Sequence, residues 1–128
     1  MEKPILYNSN REFEHQQWKG EIAFWKEELK SFNIKLSEFI TRWGEKEVLD
    51  KIGDYQKQFI FHGGVIEDLL EALEQQEVFI MAQSDAGKLK KDTELVKKHK
   101  SFRNRMETQR EIYAELKKDV FRFLENNL

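Results

Sequence analysis

From residue 18 the large apolar side chains fall at Trp18, Ile22, Trp25, Leu29, Phe32, Leu36, Phe39 and Trp43, in alternating steps of four and three. A repeat of 3.5 residues is the buried seam of a long packed helix, whereas a strand repeats every two. Ser9 followed by Glu12 reads as a capping box, and Gly44 as a left-handed stop. The spacing therefore predicts a first helix over about 10–43, with residues 1–8 as an N-terminal tail. The same stepping recurs at Val48, Ile52, Tyr55, Phe59, His62, Ile66, Leu69 and Leu73, which predicts a second helix over about 46–83. Ser84-Asp85-Ala86-Gly87 reads as a break. It recurs again at Leu95, His99, Phe102, Met106, Gln109, Tyr113, Leu116, Val120 and Phe123. Lys88, Lys90 and Lys91 would oppose a helix N-terminus, and Asp92-Thr93-Glu94 suits it, so the third helix is placed at about 92–125.

Three long helices with short connections pack antiparallel. The expected fold is all-α, an elongated up-down-up bundle of three helices forming a single domain over 1–128. Composition agrees. A single Pro and the shortage of turn clusters exclude an all-β fold, and the 10 Phe, 3 Trp and 3 Tyr exclude a disordered chain. The absence of Cys removes disulfides, thiolate metal sites and thiol nucleophiles, and fits a reducing, cytoplasmic setting. No apolar run is long enough to cross a bilayer, so no membrane partner is expected, and Met1–Tyr7 has neither the apolar core nor the cleavage site of a signal peptide.

Charge is segregated. Residues 1–44 carry 7 basic and 7 acidic side chains, 45–86 carry 3 and 10, and 87–128 carry 12 and 7, for a net charge of -2. The basic residues Lys97, Lys98, Lys100, Arg103 and Arg105 invite a nucleic-acid reading, since such side chains neutralise phosphates. A second reading competes. If the second and third helices fold about residue 87, position n faces about 174 - n. Lys97 to Arg105 then lie beside Glu71, Glu74 and Glu77, and the charges select the antiparallel register. An acidic protein partner is a third use for this face. Only Phe102 lies among the basic residues as a stacking platform, which weighs against nucleic acid.

All three histidines fall on seams. Folding the first two helices about residue 44.5 brings His15 and His99 to one level, with Glu12 on the His15 face. Glu12, His15 and His99, joined by Glu74 or Glu77, are the candidate ligands of a metal such as zinc; the alternative is a pair of core histidines bonded to neighbouring Glu or Tyr side chains. Too few His and one Glu-x-x-His exclude a di-iron centre, so no resident cofactor is expected. His62 lies about 12 residues away along the rod, roughly 18 Å, and cannot join the pair. It is expected to bond Gln109 or Tyr113 in a polar seam that also contains Trp25, fixing register. The adjacent Gly63-Gly64 reads as space for the Trp25 indole, or as a hinge or small cavity beside this layer.

No nucleophile elbow, catalytic triad or phosphate loop is present, so an enzyme is not expected. Residues Tyr55-Gln56-Lys57-Gln58-Phe59-Ile60, with Phe24-Trp25-Lys26-Glu27-Glu28-Leu29-Lys30 upstream, give the chain a motif pattern that resembles a group of small, uncharacterised bacterial all-helical proteins. That resemblance implies a helical bundle and carries no site residues. The remaining signal is apolar excess: Phe24, Ile34, Ile40, Leu49, Ile60, Phe61, Val65, Leu70, Val78, Phe79, Met81, Ile112 and Phe121 lie beside or off the seams. Contiguous exposed apolar surface marks contacts, and the expected role is non-enzymatic protein–protein association, with a homodimer as the simplest form.

Overall fold

A computed structural model describes the backbone of residues 2–42, 44–85 and 93–127 and the side chains of 11–42, 44–82 and 94–127. It consists of α1 (Glu2–Arg42), α2 (Lys46–Asp85) and α3 (Thr93–Asn126), with no strand among the described residues. At 41, 40 and 34 residues, the helices are rods of roughly 50–60 Å.

The seams read from the sequence form the core. Leu36, Ile52, Leu73, Met106 and Val120 are completely buried, and Trp18, Ile22, Trp25, Phe59, Phe102 and Tyr113 are nearly so. Each such side chain contributes about 1.5–3 kcal/mol relative to exposure. The aromatic pairs along the axis are Trp18–Phe102, Trp25–Tyr113, Phe32–Phe59 and Tyr55–Phe123.

Cross-helix contacts give the directions. Lys19 meets Glu77 and Lys26 meets Glu67, so α1 and α2 run antiparallel. Phe79 meets Lys98 and Tyr55 meets Asp119, so α2 and α3 do likewise. Glu14 meets Arg103 and Glu21 meets Arg110, so α1 and α3 are parallel.

Helix ends differ from expectation. α1 begins at Glu2, so residues 2–8 are helix rather than tail, and Ser9 lies inside the helix rather than capping it. Pro4 stands in the first turn, where an amide hydrogen has no intrahelical acceptor to lose. Gly44 interrupts the chain without the left-handed φ foreseen for it. The Glu45 carbonyl accepts from Leu49 N–H at 3.1 Å and so starts α2. Ser84 and Asp85 extend α2. Trp43, Ala86, Gly87, Lys88, Lys90, Lys91 and Asp92 lie outside the described residues.

With seam positions written a and d, each helix has flanking positions e and g. Lys19 and Lys26 are e residues of α1 and reach α2. Glu14, Glu21 and Glu28 are g residues of α1 and reach the e residues Arg103, Arg110 and Lys117 of α3. The α2/α3 flank is formed by Val65, Ala72 and Phe79 against Lys98, Arg105 and Ile112, and it carries no acid on the α2 side. The ion pairing foreseen between Lys97–Arg105 and Glu71, Glu74 and Glu77 is therefore corrected. Glu71 and Glu74 sit on the outer face of α2, and Glu77 turns to α1.

Candidate functional site

Two polar layers interrupt the apolar axis. The first joins all three helices near the N-terminal half of α1. His15 and His99 are a-position residues of α1 and α3, brought to one level by the parallel register. Their rings stack with centroids 5.4 Å apart and planes 5° from parallel. Trp18, one turn along α1, packs on both rings at 5.5 and 5.0 Å. His99, 1% exposed, donates Nε2–H to Glu14 Oε1 at 2.8 Å. Arg103 Nε donates to the other oxygen of Glu14 at 2.9 Å and its terminal nitrogen completes a bidentate pair. On the other side His15 Nδ1 lies 3.5 Å from Glu77, which Lys19 holds at 2.7 Å. His15 Nε2 has no hydrogen-bond partner among the described residues.

The electrostatics follow from these partners. The Arg103 guanidinium, with help from His99, outweighs the effect of burial and lowers the Glu14 carboxyl to about 2. Burial pushes both imidazoles below their usual value, and for His15 the neighbouring His99 adds to it. The carboxylates at 14 and 77 pull the other way and do not win. Both rings are thus neutral at physiological pH, and Glu14 is an anion already satisfied by a permanent cation.

Of the foreseen metal set, the structure brings His15 and His99 together and leaves Glu12 exposed to solvent. The carboxylates on the pair are Glu14 and Glu77. Glu14 accepts from His99 at 2.8 Å, and Glu77 stands 3.5 Å from one nitrogen of His15. Among the described residues no group of three His, Cys, Asp or Glu could hold a metal ion.

The second layer lies at mid-bundle. Gln109 Nε2–H donates to His62 Nδ1 at 3.4 Å, while burial lowers the His62 pKa. Tyr113 does not bond His62; its hydroxyl donates to Glu28, which also accepts from Lys117 at 2.9 Å. Burial, reinforced by the Glu28 anion, holds the Tyr113 phenol far above its usual pKa. The Trp25 and Tyr113 rings lie 5.7 Å apart. Gly63 and Gly64 do not make room for that indole: a Cβ at either would meet nothing within 4 Å.

The basic face is partly consumed. Arg103 belongs to Glu14, Lys97 lies 3.9 Å from Glu94, Lys98 stands over the Phe79 ring and Arg105 over Phe102. Lys98 and Arg105 rim an open groove of about 450 Å³ between α2 and α3, walled by Ala72, Phe79 and Phe102. Gln76 lines it, is buried, and has no partner for its Oε1 among the described residues.

Sequence reasoning missed Glu14, Glu21 and Glu28. Their signal was present: three acids spaced by seven on α1, and Arg103, Arg110 and Lys117 spaced by seven on α3. Comparison with protein-family models, curated proteins and solved structures finds no match. No helix among the described residues is long and apolar enough to cross a membrane.

Proposed function

We propose that this chain is a non-enzymatic helical bundle that works through protein–protein contact, with a second copy of itself as the first partner. The observation that supports this is apolar surface left outside a filled core. The seams are packed, yet Phe24, Ile34, Ile60, Phe61, Val78 and Met81 are each more than half exposed, Ile60 at 77%. Isolated exposed apolar residues are ordinary, whereas adjoining ones mark a contact face. On α2 the exposed apolar residues form two groups, Ile60 with its neighbour Phe61 and, nearer the C-terminal end, Val78 with Met81 about one turn on. The polar groups of the interior also favour a structural role: Glu14, Glu28 and Glu77 are each engaged by a cation, and His15 and His99 are buried within the stack.

Size-exclusion chromatography with light scattering tests the reading. The wild-type chain should elute with a mass above 15.5 kDa, and Ile60→Ser with Phe61→Ser should bring it back to 15.5 kDa without loss of helix by circular dichroism. An unchanged mass for that variant, or a wild-type monomer, contradicts it.

A further inference from the structure

We infer that the second copy docks on the α2/α3 face, with the two-fold axis parallel to the rods, so that α2 of each copy lies against α3 of the other. The inference rests on the self-association reading and specifies its surface and register. Three observations carry it. The groove between α2 and α3 has apolar walls, a basic rim in Lys98 and Arg105, and the buried Gln76 Oε1 lacking a donor. An open groove with apolar walls gains by being covered. The acids Asp68 and Glu71 are exposed and form no ion pair among the described residues, although their level matches the basic stretch of α3.

Charge decides the orientation. An isologous contact between these faces can set α2 on α2 or α2 on α3. The first sets Asp68 and Glu71 of α2 against another acid-bearing α2; the second sets them against α3, which presents Lys98 and Arg105. Like charges across an interface are strongly unfavourable, so the second holds.

The register follows from level. Tyr55 reaches the Asp119 carbonyl, so α2 position n stands level with about 174 - n on α3. A two-fold along the rods preserves level, which places Phe61 opposite Ile112 and Asp68 opposite Arg105 of the partner. Each contact occurs twice. The exposed Gly64 lies between Phe61 and Asp68, and the open space where its Cβ would be lets the partner helix approach.

Sedimentation velocity on charge-reversed chains tests this. Asp68→Lys and Arg105→Glu alter exposed residues, and each alone should weaken association by about tenfold or more by setting like charges opposite. An equimolar mixture of the two should recover the wild-type dimer, because both contacts across the two-fold then pair opposite charges. Circular dichroism of each variant should match wild type. Failure of the mixture to recover, or Asp68→Lys strengthening the dimer as α2-on-α2 packing requires, overturns the inference. A wild-type dimer indifferent to both substitutions overturns it while leaving self-association standing. A wild-type monomer at all concentrations overturns both.

Discussion

Glu14 of α1 and Arg103 of α3 stand 89 residues apart and form a bidentate pair across the parallel helices. The same offset of 89 recurs at Glu21 and Arg110, one heptad along, and at Glu28 and Lys117, a further heptad along. A heptad ladder of g–e pairs is how a parallel helix pair states its register. Here it acts between the first and third helices, which no short loop joins. A slip of α3 by one turn would break all three rungs together.

The rungs differ in weight. Glu21 and Arg110 lie near solvent, and Glu21→Ala should cost about 0.2–1 kcal/mol. Glu14→Ala also strips the buried His99 Nε2–H of its acceptor and should cost about 2–3 kcal/mol. Urea denaturation of the two variants checks the order; equal losses would contradict it.

Stability should fall with acid in two stages. The buried imidazoles at 15, 62 and 99 have folded pKa values below the usual 6.5, so the unfolded chain binds protons first as pH drops through that value. Glu14, lowered from 4.5 to about 2, adds a second loss below 4.5. Melting temperature should therefore change little between about pH 7 and pH 9 and decline as pH falls below 6.5. In His15→Leu that first decline should be shallower. A melting temperature that rises on acidification would contradict the neutral assignment.

Gly63 and Gly64 sit mid-helix with open space around each Cβ position. Replacing either by Ala should raise stability by about 1 kcal/mol, the helix-propensity difference. The check is thermal unfolding at a concentration where the chain is monomeric; a destabilised Gly63→Ala would reveal a close approach.

His62 and Gln109 bond in the buried seam. Either residue changed to Leu leaves its partner unsatisfied at about 1–3 kcal/mol, whereas the double substitution should be close to neutral. A double-mutant cycle by chemical denaturation reads the coupling, and additive losses would remove the bond from the account.

Much of this was legible in the residues. The seams carry the fold, because a 3.5-residue repeat leaves a helix one face to bury. Level arithmetic brought His15 beside His99. It was less accurate for α1 and α2: folding about residue 44.5 pairs numbers summing to 89, whereas Lys26–Glu67 and Ser37–Gln56 both sum to 93. Helical side chains lean toward their own N-termini, and in an antiparallel pair that folds after α1 this raises the sum. The identity of the charge partners was lost for a related reason. Proximity in level put Glu71 and Glu74 beside the α3 cations, but their heptad positions turn them outward. Position around the helix, not only along it, decides which charges meet.

Sedimentation equilibrium of the wild-type chain over a wide concentration range puts the functional reading to its most direct trial. The account predicts a weight-average mass that climbs from 15.5 kDa to twice that value as concentration rises. A single species of 15.5 kDa at every concentration would contradict it.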